Sequence, residues 1–478
     1  MRKILEKNSK ENVCINTNGK YADSKYNGFT LIELLAIIVI LAIIAVITVP
    51  LILGIIDDAK KGSITDSAYG YKSAIQNYSM YMQTVDSNSD GLNGSYTVDE
   101  LKTLGLEVTG KEPDNGTILI DNYGISGCLE FDEYKASIYN NEVVSTSKGN
   151  CPTQKIVTSG DGLYKSETEP GRFIYRGATP NNYITLNEGT ASSPSNVNYR
   201  IISYEPDGTI KVIRDASIGS KSFDERDSSD TTTGPRHNTD NTFCNYSGTY
   251  YGCNVWGNLS NTFYNDATLG STFNYKYYAN NTNTELTNST NTGTVTVDST
   301  LNQYLNNTWI TDKEMSKYID NHDFNVGGVY YTSSYTGGDK GLQKEESEEK
   351  LYTWNGKIGL MNITDYVETS LNPTCTSVYS NFYYNTNYYY ESSQHITGYD
   401  NWPCSNRTYN WLPKAITEWS LSPYSSSRYN VWYVNSTGYF NNGSASSTIG
   451  VRPAFYLKSE ISLTGEGTTT TPYSISNM

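Results

Sequence analysis

The chain has 478 residues and a formal net charge of −15, enough length for two or three domains. So acidic a balance disfavours nonspecific nucleic-acid binding, and no nucleic-acid partner is expected. Tyrosine is abundant at 43 residues, among much Asn, Ser and Thr, which supplies amphipathic surface with little charge; an AT-rich coding sequence gives the same bias.

Residues 1–28 carry six basic and three acidic side chains. Residues 29–56 then carry a single charge, Glu33, and residues 34–47 are apolar without a break. As a helix this stretch would span roughly 42 Å, more than the ~30 Å hydrocarbon core. It is too long for a signal-peptide core of about 7–15 residues, and no small-residue cleavage site follows it. The flanking charge predicts that residues 1–28 stay in the cytoplasm and the large C-terminal part lies outside. A carboxylate within a membrane segment costs at least ~2.5–3.5 kcal/mol on insertion scales, which makes Glu33 a functional candidate.

The run Gly28-Phe29-Thr30-Leu31-Ile32-Glu33-Leu34-Leu35, followed by the long apolar helix, resembles the type IV pilin and pseudopilin family. The resemblance implies cleavage after Gly28 by a membrane prepilin peptidase and methylation of the new Phe29 amine. It implies that Glu33, beside Thr30, pairs with the Phe29 amine of a neighbouring subunit during assembly, and that Pro50 marks a helix break in the filament. Gly54 adds a second weak point. Removing the leader leaves a net charge of −18. The leader is long for this family, with Tyr26 and Asn27 beside the cut in place of a tight basic cluster.

Beyond Asp57, residues Ile64, Ala68, Tyr71, Ile75, Tyr78 and Met82 are spaced 4, 3, 4, 3, 4, one apolar helical stripe. One helix is predicted over residues 29–83, apolar all round at first and amphipathic later. Residues 84–152 read as a small antiparallel β head. Thr97 and Glu100 form a capping-box signature, and strands are expected at 117–120, 128–131, 135–139 and 143–146. Residues 153–171, polar and rich in Ser, Gly and Pro, read as a linker.

Residues 172–478 read as a larger, β-rich α+β domain, so the whole chain is assigned to the α+β class. Strands are expected at 199–204 and 209–214, joined by the turn Glu205-Pro206-Asp207-Gly208. Further strands are expected at 431–434, 438–441 and 450–457, and long loops at 221–300. Lys344-Glu345-Glu346-Ser347-Glu348-Glu349-Lys350 reads as a solvated helical face. The segments Gly171-Arg172-Phe173-Ile174-Tyr175-Arg176-Gly177, Trp419-Ser420-Leu421-Ser422-Pro423 and Gly450-Val451-Arg452-Pro453-Ala454 resemble an uncharacterised Gram-positive surface-domain family over roughly residues 163–478. The Trp-Ser-x-Ser and Val-Arg-Pro elements are also similar to C-type-lectin-like or formylglycine-enzyme-like folds. Trp419 and Arg452 are expected to be structural, not ligand contacts.

Cys14 lies in the leader. Cys128, Cys151, Cys244, Cys253, Cys375 and Cys404 remain, an even number that suggests disulfides. Sequential pairing is expected, because each pair sits in one local region. A metal site is disfavoured, since no Cys-x-x-Cys or His-x₃₋₅-His spacing occurs. His237, His322 and His395 stand far apart, and no phosphate loop, nucleophile elbow or metalloprotease motif appears. No catalysis and no cofactor are expected. The expected partners are other pilin subunits through the N-terminal helix, the peptidase and assembly machinery, the membrane, and an extracellular glycan or protein ligand. The expected location is the cell membrane before assembly, then a filament at the cell surface.

Overall fold

The computed structural model describes residues 30–85, 91–224, 254–257, 298–327, 349–350, 353–372, 407–423, 430–438 and 440–477. Gly28, Phe29, Cys244, Cys253, Cys375, Cys404, His237, His395, residues 344–348 and most of 221–300 lie outside them.

Helix α1 spans Leu31–Val85. Residues 31–56 are exposed along their whole length, as a run apolar on every face must be without a membrane or partner around it. This is a helix long and apolar enough to cross a membrane. In the single chain it runs unbroken through Pro50 and Gly54; the expected break belongs to the assembled filament. Pro50 removes one backbone donor, and the surrounding turns keep theirs.

From Ile64 the helix becomes one-sided. Ile64, Ala68, Tyr71 and Ile75 are buried, while Tyr78 and Met82 are half-buried. The four buried residues pack on a five-stranded antiparallel sheet of β1 (Gly94–Thr97), β2 (Asn115–Asp121), β3 (Gly124–Phe131), β4 (Tyr134–Tyr139) and β5 (Glu142–Lys148), in that spatial order. The short helix α2 (Val98–Lys102) starts at the capping box of Thr97 and Glu100.

Both faces of this sheet are buried. Side chains alternate along a strand, so Ile118, Leu129, Ala136 and Ile138 face the helix. Leu119 and Cys128 face the other way and belong to the core of the C-terminal region. Cys151 joins that core, bonded to Cys128 with Sγ–Sγ 2.02 Å and Cα–Cα 5.5 Å.

The expected linker is therefore not one. Its residues 162–165 form β6 (Gly162–Lys165), paired with β7 (Phe173–Arg176) from Gly162↔Arg176 to Lys165↔Phe173. The Ser/Gly-rich flanks that suggested a linker are tight turns around a short strand, and Leu163 inside it is fully buried. Next come β8 (Tyr183–Asn187), β9 (Asn196–Tyr204), β10 (Ile210–Arg214) and β11 (Ser220–Ser222). Helix α3 (Thr300–Tyr304) precedes β12 (His322–Asn325), β13 (Thr353–Gly356) and β14 (Ile358–Gly359), and helix α4 covers Ile363–Glu368. The last strands are β15 (Glu418–Pro423), β16 (Asn430–Val434), β17 (Phe440–Ser444), β18 (Thr448–Gly450), β19 (Ala454–Leu457), β20 (Ser462–Thr464) and β21 (Ser474–Asn477).

A seven-stranded sheet runs β14-β19-β10-β9-β7-β6, with β8 also on β9, and a second sheet runs β11-β18-β15-β16-β17. The single strand expected over 450–457 is two strands in two sheets. Val451, Arg452 and Pro453 carry the chain between them. Pro453 has no N–H for a ladder, and its carbonyl accepts from the Arg214 N–H at 3.0 Å.

Candidate functional site

The first residues of α1 form a closed hydrogen-bonded ring. The Glu33 Oε2 accepts from the Thr30 N–H and from the Thr30 hydroxyl, both at 2.9 Å. The Thr30 Oγ1 in turn accepts from the Glu33 N–H at 3.2 Å. This is a capping box at the start of the apolar helix, so the one carboxylate of the span is tied to its own helix end. The Thr-x-x-Glu spacing was readable as a cap in the sequence, and it gives Thr30 a definite role. The three bonds are local and leave the second carboxylate oxygen available to a cation brought by another chain.

The C-terminal region holds a second concentration of charge, inside the protein. Arg172 reaches three carboxylates: Glu368 Oε2 at 2.7 Å, Asp365 Oδ1 at 3.1 Å and Glu205 Oε1 at 3.3 Å. Lys211 Nζ lies 2.7 Å from Asp365 Oδ2, which also accepts from the Asn362 N–H at 3.0 Å as half of the capping box of α4. The Ser166 hydroxyl donates to Glu368 at 2.6 Å, and Ser203 donates to Glu205. Burial penalises the charge on Asp365, but Lys211 and Arg172 outweigh it and hold the carboxyl below its usual value. Burial also pulls on Lys211, and Asp365 overrides it, leaving the amine above its ordinary value. A cavity of 40 Å³ between Glu169, Arg172, Glu205, Lys211, Glu349 and Asp365 has room for little beyond a water molecule. Cations and carboxylates here face each other directly, the arrangement of a network that fixes β7, β10 and α4 in one register.

Glu349, expected on a solvated face, is buried. It accepts from Ser422 Oγ at 2.6 Å and from the Thr364 hydroxyl, so its neighbours replace water. Lys350 remains exposed and pairs with Glu169 at 3.1 Å. Trp419 is buried, with its Nε1 donating to the Lys221 carbonyl at 2.9 Å. Arg452 is buried against Glu418, its Nη1 3.1 Å from both carboxylate oxygens, and donates to the carbonyls of Leu412 and Arg214 at 2.8 and 2.9 Å. Both residues are built into the core. The sequence reading passed over Arg172, Lys211, Asp365 and Glu418. For Lys211 the signal was a charge set among apolar strand residues, Ile210-Lys211-Val212-Ile213, and for Asp365 the cap spacing Asn362-x-x-Asp365. Among the described residues no group of His, Cys, Asp and Glu is placed to hold a metal ion.

The apolar helix with one carboxylate capped at its start fits a type IV pilin-like N-terminus. Residues 23–49 match the prokaryotic N-terminal methylation motif, and residues 276–459 match a domain of unknown function, DUF6273. The second match starts after β6–β10, although those strands complete the same sheet as β14 and β19. Neither a curated protein nor a solved structure matches the chain.

Proposed function

We propose that the protein is a minor or tip subunit of a type IV pilin-like filament, displaying residues 172–478 as an extracellular recognition module. The supporting observation is the capped Glu33 at the head of an apolar helix, whose later turns pack on a sheet that carries a much larger C-terminal region on its far face. In this reading prepilin peptidase cuts after Gly28 and the Phe29 amine is methylated. The chain spans the membrane once with its N-terminus inside. The carboxylate of Glu33 and the amine of Phe29, each costly in lipid, pair between subunits and set the axial register. The module then binds an extracellular glycan or protein.

N-terminal sequencing of protein sheared from cells tests the proposal. A start at methylated Phe29 in filament fractions is the expected result. A start at Met1, or absence from those fractions, overturns it. Incorporation into a secretion or DNA-uptake apparatus without surface filaments would identify a pseudopilin instead. Turnover of a glycan or peptide by the purified chain would identify a membrane-anchored surface enzyme.

A further inference from the structure

The β9–β10 turn, Glu205-Pro206-Asp207-Gly208, does more than reverse the chain. It is pressed against the edge of the five-stranded sheet. The Lys135 amine of β4 donates to the Glu205 carbonyl at 2.9 Å, and the Ser147 hydroxyl of β5 donates to the Pro206 carbonyl at 3.3 Å. Gly208 has φ +98°, and a Cβ there would meet the Lys148 carbonyl oxygen at 2.3 Å. The turn needs glycine for its backbone conformation and again for this close approach.

His322 also holds this turn. Its ring stacks on Tyr456 at 3.6 Å between centroids and 12° between planes. Nε2 lies 3.1 Å from Asp207 Oδ2, and Nδ1 lies 3.0 Å from the Asp323 carbonyl oxygen. A carboxylate and a carbonyl can only accept. The Thr209 hydroxyl, 3.4 Å from Nε2, already donates to Asp207 Oδ1 at 2.7 Å, so a proton on both ring nitrogens satisfies the two acceptors best and the geometry favours the imidazolium. The side chain is 22 % exposed, which leaves it open to proton exchange with solvent.

We propose that His322 and Asp207 form a pH-operated clasp that, while His322 is protonated, pins the β9–β10 turn and so fixes the C-terminal region at this corner of the five-stranded sheet. The charged and titratable groups around the ring are Asp207 and Glu205 on the turn, Asp323 on its own strand, Tyr456 on β19, Lys211 5.7 Å from the Tyr456 ring centre, and Lys135 beyond the turn. Burial lowers the imidazole pKa, but Asp207 and the Asp323 carbonyl outweigh it and hold it above the usual histidine value. Burial raises Asp207, yet His322 and Thr209 bring it to about 2, so it stays ionised throughout the working range. A raised histidine contributes its stabilisation in full below about pH 6.5 and loses it as pH climbs through the folded value. Lys135 acts oppositely and only from about pH 8, where its buried amine gives up its proton. Deprotonation loosens the turn locally; Lys165–Asp121 at 2.9 Å and Asn150 donating to the Ile461 carbonyl at 2.8 Å hold the seam elsewhere.

Hydrogen–deuterium exchange on the full chain in detergent micelles, at about pH 6 and about pH 8 and corrected for intrinsic rates, tests the clasp. The amides of Gly208 and Thr209, bonded to the Glu205 carbonyl and to Asp207, are expected to lose protection by about tenfold at the higher pH. His322→Gln should abolish that dependence, while protection in β3 reports that the fold persists. Should His322→Gln fail to fold, Asp207→Asn serves instead, and the NMR titration midpoint of His322 should fall in that variant. Equal corrected protection of the turn at both pH values in the unmodified chain overturns the proposal. So does a pH dependence that survives either substitution.

Discussion

In the proposed function the Glu33–Thr30 pair would serve two states. In the lone chain the threonine N–H and hydroxyl satisfy the carboxylate. In an assembled filament the proposed partner is an amine from another subunit. Glu33→Val is expected to leave cleavage after Gly28 intact and to reduce incorporation into filaments severely; immunoblots of sheared fractions and of membranes separate the two effects. Wild-type incorporation by that variant would remove the pairing role. The buried pair Arg452–Glu418 makes a second residue-level prediction. Arg452→Met leaves Glu418 buried without its cation, and breaking such a pair costs about 3–5 kcal/mol. A thermal melt should show a large drop in Tm. Lys135 gives a prediction with a defined pH sign. Burial lowers its pKa from 10.5 to about 8, so the native state binds fewer protons than the unfolded one between those values. The unmodified chain should therefore gain stability relative to Lys135→Met as pH rises through that window, as denaturant titrations at several pH values would show.

At the level of elements, what was legible followed from local chemistry. Strands β2–β5 announce themselves through alternation and turn residues, and α2 through Thr97 and Glu100, whereas β1 was not expected. The hairpin β9–β10 was readable because Pro206 and Gly208 each fit one turn position. What could not be read depended on partners remote in sequence. β6 is four residues long, and its reason for being a strand lies in β7. The split at Val451–Pro453 depends on two sheets competing for one segment. Glu349 looked solvated because Thr364 and Ser422, which satisfy it, lie far along the chain. The disulfide Cys128–Cys151 ties β3 to the end of the first sheet across a sequence separation of 23. Chain-entropy reasoning gives it roughly 3 kcal/mol. Reduction should lower Tm accordingly, and a scan unchanged by reductant would show that the bond contributes little.

Across the folded part of the chain, the five-stranded sheet and the larger region share a core through Leu119, Cys128 and Cys151. Residues 61–478 should accordingly unfold in one transition, with amide protection lost together in β3 and β10; two separated transitions would contradict the shared core. The α+β class and the N-terminal helix were evident from the sequence. The fusion was not, because it is written in every second residue of strands that also serve the helix side.

That double-sided sheet limits how such a chain can be rebuilt. An outer module exchanged at residue 152 would leave Lys135, Ser137 and Leu119 facing surfaces they do not match. The seam is sewn into β2–β4, so the inner and outer parts form a matched pair. Changing the C-terminal region requires rewriting part of the sheet that meets the helix, and a graft that respects the apparent boundary in the sequence would cut through the core.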